Sequence, residues 1–226
     1  MLWERLFSFA YFYCTFVQHF FAVTESNLEI TMKEELAQSF SYMFKDEDWF
    51  WKVFVGVFYL FLAFFGIGFF FIIGYQVETV RRILRNEDVL PEWKKSLDFL
   101  SDGIKLGGAI LIYSGFFFLI ERSIHITTYG SIRIEYVILF YIAPLLFAQY
   151  VRTSSFKSCF DVFALFSIAK KNALLFILTS TLSLVLLTAT ITLGWMSLIV
   201  GWPFVIFWGL LAQSYLTSMV VRASQQ

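Results

Sequence analysis

The sequence predicts an all-α protein that crosses a membrane several times. Of the 226 residues, 59% are hydrophobic and 15% are charged, whereas a soluble domain has about 45–50% apolar and about 25% charged residues. A chain of this size leaves much of its surface exposed, so a water-soluble core cannot hide such an excess. Long apolar stretches are also present, and in lipid they form helices because only a helix satisfies its own backbone groups there.

Five stretches are long enough to cross about 30 Å of hydrocarbon, which takes about 20 residues of helix. In chain order they are residues 53–74, 104–120, 134–151, 172–193 and 198–221. The first contains no charged residue. It is compatible with one long span, or with a re-entrant hairpin within residues 48–75 that turns at Gly66-Ile67-Gly68.

The N-terminal stretch from residue 6 to residue 23 is also apolar, but two polar residues interrupt it. One interpretation is a sixth membrane helix, which gives five to six spans in total. The alternatives are an extension ahead of a start at Met32, or a cleaved signal peptide whose n-region carries almost no net charge. We expect residues 1–31 to form an N-terminal extension with an extra transmembrane helix, and residues 32–226 to form a single helical membrane domain.

The distribution of basic residues predicts the orientation of the helices. Eleven basic residues lie on the side of the long loops and the C-terminus: Arg81, Arg82, Arg85, Lys94, Lys95, Lys105, Arg152, Lys157, Lys170, Lys171 and Arg222. Five lie on the opposite side: Lys33, Lys45, Lys52, Arg122 and Arg133. Because Lys and Arg concentrate in cytoplasmic loops, we expect a multi-pass protein of the cell membrane with its long basic loops and C-terminus in the cytoplasm.

The long loops are predicted to contain amphipathic helices that lie at the membrane interface. Apolar residues of segment 93–104 recur at helical spacing, and segment 156–171 places several Phe residues on one side. Segment 76–86 has the same character. A simple extension of the preceding span is an equally good interpretation of that segment.

Two runs resemble a known family. FKDEDWFWK (Phe44–Lys52) precedes the first span, and ETVRRILRNEDVLPEWKKSLDFLSDGIKL (Glu78–Leu106) follows it. An Arg-rich helix, then Leu-Pro-Glu-Trp, then Asp-Gly-Ile-Lys is similar to the prokaryotic membrane family catalogued as domain of unknown function 4013. The resemblance covers about residues 33–222 and departs where Lys94-Lys95 replace residues that tend to be acidic. It implies a helical membrane fold and no established activity.

Three groups of residues are candidate sites. Anionic lipid headgroups are the candidate ligands of Arg81, Arg82, Arg85, Lys94 and Lys95. An ordinary topology signal is the simpler interpretation of these cations, and the two roles do not exclude each other. Close helix packing, within one chain rather than between two, is expected at Gly103, Gly107, Gly108 and Gly115. Thr179, Ser183 and Thr190 on the fourth span could line a polar path between helices. Their alternative role is bonding to carbonyls of their own helix.

The predicted function is structural. The spans carry no ionisable side chain from Leu106 to Ile120 or from Ala173 to Val221, and such residues usually mark ion-coupled sites. The sequence shows no catalytic, cofactor-binding or metal-binding set, and its net charge of zero attracts no nucleic acid. We expect a non-enzymatic scaffold or accessory subunit that contacts lipids, other membrane proteins or a second copy of itself. The alternative is a transporter or channel for a neutral or weakly polar solute.

Overall fold

In the computed structural model, the described residues are 34–35, 37–87, 89–124, 134–171, 173–196 and 198–225, and all regular structure within them is helical. The α-helices are α1 (Trp49–Ala63), α2 (Ile67–Leu84), α3 (Ser96–Ile124), α4 (Ile134–Thr153), α5 (Val162–Lys171), α6 (Ala173–Met196) and α7 (Leu198–Gln225). Short 3-10 helices cover Tyr42–Lys45, Trp93–Lys95 and Lys157–Phe160. The expected all-helical fold is confirmed for these ranges. The predicted N-terminal helix at residues 6–23, within the extension 1–31, lies outside them.

Residues 53–74 do not form the single span that their composition suggests. Helix α1 ends at Ala63, a turn covers residues 64–66, and α2 begins at Ile67. Gly66 has a φ of 84°, a conformation that costs glycine little and other residues much. The two helices fold back on each other, and the rings of Tyr59 and Phe71 stack with centroids 4.7 Å apart. The single-span prediction is therefore wrong, and the hairpin alternative describes the backbone correctly.

Three helices of the described part are long and apolar enough to cross a membrane. Their apolar portions are Ser96–Ile120, Ala173–Thr190 and Gly201–Gln225, which overlap the predicted spans 104–120, 172–193 and 198–221. Helix α4 covers the predicted span 134–151. The structure thus supports a membrane protein, as length and composition indicated.

The predicted loop helices differ in how they are built. Helix α2 runs on to Leu84, so residues 76–84 extend it and residues 85–86 belong to the turn that ends it. Helix α3 runs without a break from Ser96, so most of segment 93–104 belongs to a membrane-length helix and the expectation of a separate helix is wrong there. No proline or positive-φ residue interrupts that stretch, and the backbone hydrogen bonds continue. Of the three predicted loop helices, the one at 156–171 is separate from the long helices, and it consists of the 3-10 helix Lys157–Phe160 followed by α5.

Helix α2 ends in a Schellman motif. Asn86 has a φ of 58°. The N–H of Glu87 donates to the carbonyl of Arg82 at 3.0 Å, and that of Asn86 donates to Ile83 at 3.1 Å. These bonds satisfy carbonyls that have no partner in the helix. They also turn the chain sharply into the loop before Pro91.

The ends of several helices meet at one end of the bundle. Arg222 of α7 donates to the carbonyl of Ile83 at 2.8 Å, and Lys171 of α5 donates to the carbonyl of Ser224 at 3.4 Å. Arg81 of α2 donates to Ser154, just after α4, at 3.0 Å. The two long basic loops and the C-terminus therefore lie together.

Helices α2 and α3 approach so closely that some contacts have no room for a side chain. A Cβ on Gly103 would overlap the carbonyl oxygen of Phe70, and a Cβ on Gly107 would lie 3.0 Å from the ring of the same residue. Gly108 is looser, with Phe156 at 3.9 Å, and Gly115 has nothing within 4 Å. The four glycines therefore divide between the α2–α3 contact and the outer side of α3.

Gly103→Ala is expected to destabilise the protein by roughly 1–3 kcal/mol, because the added methyl group must push backbone against backbone. Gly115→Ala is the matched control, since open space surrounds that position and alanine favours the helix by about 1 kcal/mol. Unfolding of the purified protein in mild detergent, followed by circular dichroism, measures both. Equal midpoints for the two variants would contradict the close contact.

Candidate functional site

The two motifs that carry the family resemblance meet in space. Lys52 at the start of α1 donates through Nζ to Oδ2 of Asp46 at 2.6 Å and to the carbonyl of Leu90 at 3.0 Å. The N–H of Leu90 donates to the same Asp46 oxygen at 2.7 Å. The side chains of Lys52 and Asp46 are 10% and 3% exposed. We call the group Asp46, Lys52, Leu90, Pro91 and Trp93 the motif junction.

Local sequence explains how each part of the motif junction is presented. Asp46 accepts the N–H of Asp48 through Oδ1 at 2.8 Å, an Asx-type turn that precedes α1. Leu90 lies before Pro91, which favours an extended backbone. Its N–H and carbonyl are therefore available to side chains instead of a helix. A buried ion pair is tolerated when hydrogen bonds satisfy its remaining atoms, and here the backbone of Leu90 supplies them.

The indole of Trp93 locks the junction into an aromatic cluster. Its Nε1 donates to the carbonyl of Lys52 at 2.8 Å. The ring stacks on Tyr59 at 4.6 Å and on Tyr75 at 4.2 Å between centroids. The hydroxyl of Tyr75 donates to the carbonyl of Pro91 at 3.2 Å. Trp93 is thus held by the hairpin on both sides.

Helices α3 and α7 complete this cluster. Phe99 of α3 lies 5.6 Å and Phe207 of α7 lies 5.7 Å from the ring centroid of Tyr75. Gly56 of α1 makes room for Phe207, because a Cβ there would overlap the phenyl ring. The junction therefore holds four helices in one arrangement. Its polar atoms bond to one another and so stabilise the contact between these helices.

The predicted lipid-binding arginines are largely paired with carboxylates. Arg81 forms an ion pair with Asp102 of α3, and the hydroxyl of Tyr150 donates to the other oxygen of that carboxylate at 2.6 Å. Arg85 lies 2.9 Å from both Glu78 and Glu87. Sequence reasoning missed the partner of Arg81 because Asp102 lies on another helix.

The other predicted lipid ligands have different surroundings. The Nε of Arg82 lies 3.8 Å from Glu78 and 3.7 Å from Glu87. Lys94 is 88% exposed and 3.4 Å from Glu92, and the side chain of Lys95 lies outside the described residues. The five cations therefore do not form one unpaired patch. Their binding of lipid stays a prediction.

The predicted polar path consists of Thr179, Ser183 and Thr190, which we call the hydroxyl row of α6. All three are buried, and Thr190 contacts Gly209 of α7. Thr179 donates to the carbonyl of Leu175 at 2.8 Å, and Thr190 donates to Leu187 at 2.9 Å. Thr190 and Ser183 are 1% and 3% exposed. The threonine hydroxyls therefore bond to their own helix, as the alternative to a polar path expects. The path itself stays a prediction.

The described residues contain an apolar cleft but no cluster of metal ligands. No group of three or more His, Cys, Asp or Glu is placed to hold a metal ion within those ranges. An apolar cleft of about 240 Å³ lies between the end of α1 and α7. It is lined by residues that include Leu60, Phe64, Trp202 and Ile206.

Comparison with known families agrees with the motifs. The family model described as "Protein of unknown function (DUF4013)" matches residues 57–201, well over half of the chain. The chain belongs to this family. The resemblance is confirmed over a shorter range than the expected 33–222, and the run Phe44–Lys52 precedes the match. No curated protein and no solved structure matches the chain.

The motif junction predicts a specific pattern of stability. Asp46→Asn and Lys52→Met each leave one buried charge without its partner, which costs about 3–5 kcal/mol. The double variant should lose clearly less than the sum of the two. Reversible unfolding in detergent, read by circular dichroism, gives the three free energies. The control is Glu92→Gln, which breaks the exposed ion pair between Glu92 and Lys94. It should change the free energy of unfolding by less than about 1 kcal/mol. Additive losses would contradict the coupling.

Proposed function

We propose that this family member is a non-enzymatic membrane scaffold or accessory subunit, which presents fixed outward surfaces to lipids and partner membrane proteins. The observation that carries the proposal is a row of aromatic side chains along α1 that continues onto the hairpin turn. We call it the aromatic row. Its members are Phe50, Phe54, Phe58, Phe61 and Phe65, which are 59%, 47%, 59%, 49% and 81% exposed.

The aromatic row is a single surface on a rigid support. Its members are spaced by three or four residues, so they share one side of the helix. The opposite side of α1 holds buried Lys52, Val53 and Val57, and the motif junction fixes it. Apolar surface of this extent is covered in a native protein by lipid or by a partner. Aromatic residues are also enriched where protein partners bind tightly.

The hairpin also supports a particular topology. Because α1 and α2 return to the same side, Lys33, Lys45 and Lys52 join the side of the long loops. The count of basic residues then changes from eleven against five to fourteen against two. We propose that this side faces the cytoplasm and that α3, α4, α6 and α7 cross the cell membrane. The hairpin enters it from the cytoplasmic side. Residues 6–23 would add a fifth crossing.

The alternative function, transport of a neutral solute, would use the hydroxyl row of α6. One observation favours it: the hydroxyl of Ser180 is buried without a hydrogen-bond partner in the described part of the chain. Against it, the neighbouring threonines bond to their own helix and Thr190 contacts Gly209 of α7. Helix packing accounts for more of these observations than a solute path does.

A photo-crosslinking amino acid at Phe58 tests the scaffold. Illuminated in its native membrane, the protein should give one discrete protein adduct, because the aromatic row faces a partner. Phe54→Ala with Phe61→Ala should remove the adduct. Phe118→Ala with Leu119→Ala, equally outward residues of α3, should leave it unchanged. The matched crosslinker position is Phe116, which is 57% exposed. Lipid adducts alone from both positions would reject partner binding at the row.

Solute flux through reconstituted vesicles distinguishes a transporter from a scaffold. Vesicles that contain the protein should release glycerol no faster than empty vesicles, since the threonine hydroxyls of the row bond to their own helix. Flux that Ser183→Val abolishes, while Thr188→Val on the exposed side of α6 does not, would replace the scaffold by a transporter.

A further inference from the structure

The two long basic loops differ in their charge balance. Residues 78–105 contain six basic and six acidic side chains, whereas residues 152–171 contain four basic side chains and a single acidic one. The first loop has no net charge, although it contains Arg81, Arg82 and Arg85. The second carries a net charge of +3. An anionic surface is therefore attracted to the second loop, not to the first.

The contacts of the second loop leave its cations exposed. Arg152, Lys157 and Lys170 are exposed, and none of them pairs with a carboxylate among the described residues. The single carboxylate, Asp161, accepts the N–H of Ala164 at 3.0 Å and caps the start of α5. In the first loop, by contrast, ion pairs neutralise the arginines.

Helix α5, between these cations, is apolar on two sides. Leu165 and Ile168 are 7% and 4% exposed and pack against the bundle. Val162, Phe163 and Phe166 point away from it and are 65%, 90% and 66% exposed. A surface helix in water turns its polar side outward. Here the outward side is apolar, and cations follow at its C-terminal end.

We propose that α5 and its flanks form an anchor that binds anionic phospholipids. Phe163 and Phe166 insert among the acyl chains, while Arg152, Lys157 and Lys170 contact the phosphate headgroups. Exposed aromatic residues beside unpaired cations are the combination that interfacial helices use. The proposal rests on the membrane placement given above, and it assigns lipid contact to α5 instead of to the paired arginines of α2.

Native mass spectrometry of the full-length protein in neutral detergent tests this anchor. The protein is titrated with phosphatidylglycerol and, separately, with phosphatidylcholine. Lys157→Gln with Lys170→Gln should weaken phosphatidylglycerol binding roughly 25-fold, because each basic residue contributes about fivefold to such binding. Phosphatidylcholine binding should stay the same. The matched variant is Lys94→Gln with Lys95→Gln, which removes two charges from the first loop and should change either affinity less than twofold.

Two outcomes would overturn the anchor: equal phosphatidylglycerol binding by the wild type and the Lys157/Lys170 variant, or a loss confined to the Lys94/Lys95 variant. The first outcome would point to an acidic protein partner on α5 instead.

A second variant, Phe163→Ser with Phe166→Ser, tests the insertion of the rings. It should weaken the binding of both lipids alike, and unchanged binding also counts against insertion. Thermal unfolding checks that each variant is folded. Loss of the crosslink at Phe58 would leave these lipid results unaffected, so the two proposals fail separately.

Discussion

The structure depends on a buried ion pair between Asp46 and Lys52 that encloses the backbone of Leu90. Two charges are costly to remove from water unless hydrogen bonds satisfy them. The N–H and carbonyl of Leu90 do so because Pro91 keeps this residue out of a helix. The pair thus requires the loop after α2 to return to the start of α1. That return places Trp93 between the two arms of the hairpin.

Aromatic packing turns this polar contact into a rigid centre. Trp93 lies against Tyr59 and Tyr75, and Phe207 brings α7 to the same point. Without a hydrophobic driving force in lipid, helices associate through close packing and interhelical hydrogen bonds. The junction uses both. It also has a topological consequence, since a hairpin held at its base keeps both of its ends on one side.

Polar groups that have hydrogen-bond partners lie inside the structure, whereas exposed apolar groups and unpaired cations lie on its outer surface. At the junction, and around Asp102, polar atoms bond to one another and stabilise the fold. Outward surfaces are different: the aromatic row of α1 and the outer side of α5 offer apolar groups, and the cations beside α5 lack carboxylate partners in the described part of the chain. The proposed scaffold and the lipid anchor both follow from that contrast.

The sequence by itself determined the helical class, four of the apolar helices and the family, because hydrophobic length and a rare motif are local properties. It could not decide whether residues 53–74 make one helix or two, since the run is equally apolar in both cases and the turn depends on Gly66 and on packing. Nor could it show that Asp102 neutralises Arg81, or that Asp46 and Leu90 meet. These contacts join residues distant along the chain, and only tertiary structure decides which charges are paired.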